Sequence, residues 1–184
     1  VVQPRHPDYR GHPDAVALAT GAADVLAASA SFGALTEGRC GVRTAIAMTG
    51  YDRQFGPPLA DLRSCAEEAA TRAREPDEEV AFVFGTERSG LENEDVERCQ
   101  RSCAIPANPA FSSLNLAQAV QLAAYECQLA LRGTPGVKQL AVDKTAAVVG
   151  TVGETDSVPG QYLVTNIDAR LQAVLVVVED RVCA

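Results

Sequence analysis

The sequence predicts an α/β domain built on a mainly parallel sheet, and three observations carry that prediction. Two apolar runs, VRTAIAMT at 42–49 and VAFVFG at 80–85, lack polar alternation, as strands buried on both faces require. Between and after them lie stretches whose apolar residues recur every three or four positions, the helical period. Strand and helix signals alternate along the chain, separated by Gly- and Pro-containing turns, which is the pattern of βα units.

The elements follow in order. Val1-Val2-Gln3-Pro4 reads as the end of a strand. Pro13 with Asp14 opens a helical stretch, AVALATGAADVL, that Gly21 is placed to end. After the 42–49 strand, GYDRQFGPP is a loop by its Gly and Pro content. Residues 59–74 form a helix with Leu59, Leu62, Ala66, Ala69 and Ala73 on one face, stopped by Pro76. The 80–85 run is the clearest core strand. A short polar helix spans 92–99, and Ala104-Ile105-Pro106 forms a brief strand. Ser112 or Ser113 is placed to cap a long helix that runs to about Leu131. That helix is apolar nearly all round, so it is expected to be covered by its own sheet and by a partner subunit. From Gly133 the texture becomes rich in Gly, Val and Thr, and ARLQAVLVVVED fits a strand or a buried helix end. The domain boundary is therefore drawn there, with 1–132 as the main domain and 133–184 as an extension of unknown structure.

Composition narrows the function classes. The chain has 184 residues, 47% of them hydrophobic, and 16 basic against 24 acidic side chains give a net charge of −8. That apolar share excludes wholesale disorder. No run approaches the ~18–20 apolar residues of a membrane span, so no membrane association is expected. A globally acidic field argues against a generic basic nucleic-acid binder, although Arg53, Arg88, Arg98 and Arg101 could form a locally basic face. The six cysteines form no CxxC pair, and both histidines, His6 and His12, lie far upstream. No metal site is expected. Reduced thiols packed as small hydrophobes in a cytoplasmic protein are the better reading.

Two segments carry chemistry. In VAFVFGTERSGL a core strand runs into Gly85 and a polar loop containing Glu87, Arg88 and Gly90. Glycine at a strand's carboxyl end permits close approach of a ligand, and ligands of open α/β sheets bind at that edge. A tight turn with solvated charges is the bland alternative. In IPANPAFSSLNLA, Pro109 holds Asn108 extended, and Ser112, Ser113 and Asn115 gather at a helix N-terminus, where free N–H groups favour a carboxylate or phosphate. Simple capping by one serine explains only part of that cluster.

FGTERSGL followed fourteen residues later by IPANPAFSSLNLAQAVQLAAYE resembles motifs two and three of the SpoU class of SPOUT RNA methyltransferases. The Asn-Pro before SSLNLA and the upstream HPDAVALATGAADVL are most similar to its TrmJ branch, whose members methylate a ribose 2′-hydroxyl in the tRNA anticodon loop. The resemblance covers about residues 1–131. It implies a deep C-terminal trefoil knot, S-adenosylmethionine as cofactor, and a homodimer. It also implies that Met48, Thr49 and Gly50 end a strand beside the cofactor. Gly85, the loop with Glu87 and Gly90, and Ile105 would line the knot, largely through backbone. Ser113, Leu114 and Asn115 would form the third wall and face the ribose. Catalytic roles would fall to Asn115, Ser113, Glu87 and Arg53, the last touching RNA phosphate. The physical logic agrees. A ribose hydroxyl is too weak an acid to ionise unaided, so methyl transfer needs positioning and proton assistance.

The family's first motif, an Asn and an Arg on an opening βα unit, would precede Val1, and this chain is expected to lack that unit. The expectation is therefore a tRNA 2′-O-methyltransferase, with an rRNA 2′-O-methyltransferase or an inactive cofactor- or RNA-binding homologue or fragment as alternatives. A nicotinamide-dependent enzyme is disfavoured, because no GxGxxG opens a helix after a strand.

Overall fold

A computed structural model of the chain describes residues 1–19, 21–53, 56–132 and the backbone of 173–177. After a short 3-10 turn at Tyr9–Gly11 come three short helices, α1 (Pro13–Leu18), α2 (Ala23–Ala28) and α3 (Leu35–Gly38). There follow β1 (Thr44–Met48), β2 (Leu59–Asp61), α4 (Leu62–Arg72), β3 (Val80–Phe84), α5 (Asn93–Glu97), β4 (Arg101–Ala104), α6 (Leu116–Arg132) and β5 (Ala173–Val177). All five strands are parallel, in the order β2-β4-β1-β3-β5. The predicted fold class holds.

The sheet is covered on both faces, which is why β1 and β3 carry no polar alternation. Ile46, Val80, Phe82, Phe84 and Cys103 point one way, into a cluster with Leu62, Cys65, Ala66 and Ala69 of α4 and Ala123 and Cys127 of α6. Ala45, Ala47, Ala81 and Val83 point the other way, toward Val2, Leu35, Leu91, Val96 and Cys99. Cys65, Cys99, Cys103 and Cys127 are buried free thiols and Cys40 is exposed. Burial pushes the Cys99 thiol up to about 11 and that of Cys127 to about 12.

Several elements differ from expectation, each for a local reason. The expected 59–74 helix splits. Its first residues pair with β4 as β2, and α4 starts behind Asp61, whose carboxylate accepts the Ser64 amide at 3.1 Å and the Ser64 hydroxyl at 2.6 Å. The strand expected at 104–106 lies three residues earlier, because β4 must lie between β1 and β2 and its register aligns Met48 with Cys103. The first helical stretch is two helices joined through Gly21 at φ +81, and Asp24 and Leu26 belong to the second. Val2 pairs with Phe32 through a parallel bridge. Within the 133–184 stretch, β5 pairs with β3 from Val80↔Ala173 to Phe84↔Val177. The rest of that stretch, Cys183 included, lies outside the described residues.

Candidate functional site

Because the sheet is parallel, the carboxyl ends of β1, β3 and β4 share one edge, and the loops that leave them meet there. At the end of β1 the Thr49 amide donates to the Cys103 carbonyl at 2.8 Å, tying this loop to β4. The Thr49 hydroxyl donates to the Tyr51 carbonyl at 3.0 Å. A Cβ placed on Gly50 would lie 3.8 Å from the Ser112 carbonyl oxygen, so the loop after β1 touches the loop before α6.

The loop after β3 folds back on its own strand. Thr86 and Gly90 exchange backbone hydrogen bonds of 3.3 and 3.0 Å, and Gly90 takes φ +71. The Thr86 and Ser89 hydroxyls close the turn at 2.7 Å. A Cβ on Gly85 would sit 2.0 Å from the Gly90 carbonyl carbon and 2.2 Å from the Leu91 nitrogen. The glycine at this strand end is thus demanded by the returning backbone of its own loop, and not only by the approach of a ligand. Glu87 and Arg88 stand exposed at the tip.

Glu87 is the link between the two chemical segments. One carboxylate oxygen accepts from Asn115 Nδ2 at 2.8 Å and the other from the Leu116 amide at 2.9 Å. Asn115 Oδ1 in turn accepts the Ala117 and Gln118 amides at 3.1 and 3.3 Å. Asn115 therefore caps α6, not Ser112 or Ser113, because an Asn side chain there reaches two orphan amides at once. The N-terminus of α6 is correspondingly not open to a phosphate or carboxylate from outside. Its first three N–H groups are taken by Glu87 and Asn115, and the helix dipole favours the Glu87 charge there. Ser113 is exposed and Leu114 half-buried just before the cap. Met48, Ile105 and Leu116 pack on the core beneath, each partly open, and form an apolar floor beside these polar groups.

Arg53 does not stand free. Its guanidinium donates to the Leu91 carbonyl at 2.7 Å and to Asn93 Oδ1, lies 5.1 Å from the Tyr51 ring centroid, and has a buried Nε without a partner. Of the four arginines expected to form a basic face, Arg88 and Arg98 are exposed, whereas Arg53 and Arg101 are engaged within the chain. Arg101 pairs with Glu68 at 3.2 Å, at the opposite end of β4 from the site, and Arg72 joins the same carboxylate at 2.9 Å. Burial opposes ionisation of Glu68, but the two guanidinium groups prevail and hold it below the usual carboxylate range. Next to the site, Asp61, Arg63, Pro106, Leu122 and Glu126 surround a cleft of about 270 Å³ that shares Ile105 with it. Among the described residues no group of three His, Cys, Asp or Glu could hold a metal, and no helix is long and apolar enough to cross a membrane.

The structure thus brings together Met48, Thr49, Gly50, Gly85, Glu87, Gly90, Ile105, Ser113, Leu114 and Asn115 at one sheet edge. Sequence reasoning passed over Asn93, which receives Arg53, and the aromatic rings Tyr51 and Phe111, which are 63% and 80% exposed beside the site. Large aromatics inside Gly- and Pro-rich loops were the available signal.

Known proteins resemble this chain over most of its described length. A model of the SpoU rRNA Methylase family matches residues 6–125. The tRNA (cytidine/uridine/adenosine-2′-O-)-methyltransferase TrmJ of Pseudomonas aeruginosa is 42% identical over 130 residues, covering 71% of this chain and 50% of that protein. The chain spans about half the length of the curated relatives it matches. Among solved structures, a probable methyltransferase from Bordetella pertussis is 49% identical with a TM-score of 0.65, over 71% of this chain and 77% of the other. TrmJ from Z. mobilis is 36% identical with a TM-score of 0.57, over 63% and 50%. With its family match, its relatives and its glutamate-clasped sheet edge, the chain belongs to the SpoU rRNA Methylase family.

Proposed function

We propose that this chain is the methyltransferase domain of a tRNA 2′-O-methyltransferase, acting on a ribose 2′-hydroxyl of the anticodon loop. The observation that carries this reading is the Glu87 clasp, which joins the two motif segments at the edge where open α/β sheets bind ligands. The relatives' activity supports it, and the substrate range of the Pseudomonas protein suggests tolerance of several bases around the modified ribose.

The site suits S-adenosylmethionine as cofactor. Partly open Met48, Ile105 and Leu116 offer an apolar floor for an adenosyl group, and the backbone of the 85–90 loop borders it. When bound, that cofactor supplies an electrophilic methyl group on a sulfonium. The protein's own part is positional. Glu87 already accepts two N–H donors, one on each carboxylate oxygen, which makes it a residue that positions Asn115. Asn115 has one Nδ2 hydrogen left to direct toward substrate, and the Ser113 hydroxyl is exposed two residues away. Arg53 holds the loop after β1 against Leu91 and Asn93, so its assigned contact with RNA phosphate would require it to exchange partners.

The same reading extends to the architecture. Insertion of β4 between β1 and β2 supports a chain that threads as a trefoil knot. Leu122 and Tyr125 of α6, 39% and 55% exposed, support a homodimer built on that helix. A tRNA substrate suits a cytoplasmic protein.

Calorimetry tests the proposal. Saturable binding of S-adenosylhomocysteine with no binding of NADH is expected, and methyl transfer from labelled cofactor to a tRNA transcript then reads activity. Binding of NADH in place of S-adenosylhomocysteine would overturn the assignment.

A further inference from the structure

We propose that Phe111 and Tyr51 form a stacking platform for unpaired RNA bases at the mouth of this site. The inference rests on the methyltransferase reading above and adds the means by which substrate is held. Phe111 is the most exposed large hydrophobic side chain among the described residues, at 80%, and Tyr51 follows at 63%. Neither ring serves the core, yet both are held by ordered backbone. The Phe111 amide donates to the Asn108 carbonyl at 2.8 Å, and Asn108 Oδ1 accepts the Ala110 amide at 3.0 Å, so the asparagine shapes the turn that presents the ring. Around Tyr51 the Thr49 hydroxyl bonds both its carbonyl, at 3.0 Å, and its amide, at 3.4 Å. The Arg53 guanidinium, itself fixed by Leu91 and Asn93, lies over its ring.

The two rings also share a location. Tyr51 follows Gly50, Phe111 precedes Ser112, and Gly50 and Ser112 are the residues at which the two loops touch. Two residues beyond Ser113 lies the Glu87–Asn115 clasp. The rings therefore flank the position proposed for the reacting ribose, where the attached base and its neighbours must be accommodated.

An unpaired base is the occupant that the electrostatics favour. The chain carries a net charge of −8, and of the arginines near the site Arg53 is held by Leu91 and Asn93, which leaves Arg88 alone exposed at the loop tip, so attraction of phosphate is a weak source of affinity. Stacking does not depend on net charge. It also accepts every base, because each has a π-face, whereas hydrogen-bond readout would discriminate among them. That matches the base tolerance suggested above.

The test uses the whole chain and a short single-stranded RNA carrying 2-aminopurine, whose fluorescence is quenched by stacking. The native chain is expected to bind and quench it. Phe111→Ala should weaken binding about tenfold, within the range for loss of one stacked base, and Tyr51→Ala should act in the same direction. Phe111→Tyr and Tyr51→Phe keep a ring and should restore both affinity and quenching. The slope of affinity against salt should be the same in all variants, because no phosphate contact is removed. Calorimetry with S-adenosylhomocysteine separates the two readings. If that ligand binds but RNA affinity ignores both rings, or the native chain does not bind the RNA, the platform is refuted while the methyltransferase reading stands. If that ligand does not bind, the underlying reading fails. Light scattering supplies the remaining check: should Phe111→Ala dissociate a dimer and leave RNA affinity per subunit unchanged, the ring is a subunit contact and the inference falls.

Discussion

Replacing Glu87 by alanine removes both bonds of the clasp at once, and its cost can be worked from the geometry. Hydrogen bonds to a charged group contribute ~1.5–3 kcal/mol each when shielded from water. Glu87 is exposed, so water recovers part of each, and about 1 kcal/mol per bond, or about 2 kcal/mol in all, is the reasonable loss. Asn115→Ala loses the same Nδ2 bond together with the cap of α6, itself worth ~1 kcal/mol. Because the two single variants both delete the Glu87–Asn115 bond, their losses should exceed that of the double variant by about 1 kcal/mol. Urea unfolding of the four proteins at pH 7 measures this coupling. Hydrogen exchange at the Leu116 amide gives an independent local reading, since Glu87→Ala should accelerate it ~5- to 30-fold. Strict additivity together with unchanged exchange at Leu116 would show that the clasp does not form in solution, and the positional role of Glu87 would go with it.

Three further expectations follow from the packing. Gly85→Ala should cost ~3 kcal/mol or more, because a methyl group 2.0 Å from the Gly90 carbonyl carbon forces backbone apart, whereas Gly90→Ala should cost only the ~1–2 kcal/mol of a left-handed residue; urea midpoints rank the two. Glu68→Gln should destabilise by less than ~1 kcal/mol at pH 7, since its arginine partners are partly exposed. The Glu68 pKa is depressed on folding, so its contribution is present above the ordinary carboxylate value and lost as pH falls through the folded one, and urea midpoints for the native and variant chains should converge as pH falls below the ordinary carboxylate range. The Cys99 pKa is raised on folding to about 11, so stability is intact below the ordinary thiol value near 9 and falls as pH rises from there through about 11; alkaline unfolding should be less steep in Cys99→Ala.

What the sequence revealed of this molecule was whatever it encodes locally. β1 and β3 were plain in their unbroken apolar runs, and α6 in its length and alanine-rich period, because such segments have few alternatives. Leu59 to Asp61 fitted the helical spacing of the residues after them, and only pairing with β4, forty residues away, made them a strand. β4 itself, Arg-Ser-Cys-Ala, has no strand signature, and its neighbours on both sides decide its conformation. The site showed the same division. The family resemblance grouped Glu87 with Ser113 and Asn115, whereas local pattern alone gathered only the serines and the asparagine at the helix start. The clasp between residues 28 apart, the replacement of serine by Asn115 as the cap, and the engagement of Arg53 by Asn93 are contacts between distant segments, and no local pattern announces them.

The order β2-β4-β1-β3 also sets a sequence of events during synthesis. β1 and β3 can pair as soon as both have emerged, but among the described strands β2 pairs only with β4, which is made about forty residues later. Until then the Leu59–Asp61 segment must wait with its backbone groups hydrated. The arrival of β4 closes a gap between two strands already made, and it brings Cys103 to the Thr49 amide at the same moment. The sheet's far edge and the floor of the site are therefore completed by one four-residue strand. A lesion in β4 should delay both together, while leaving the β1–β3 pair free to form.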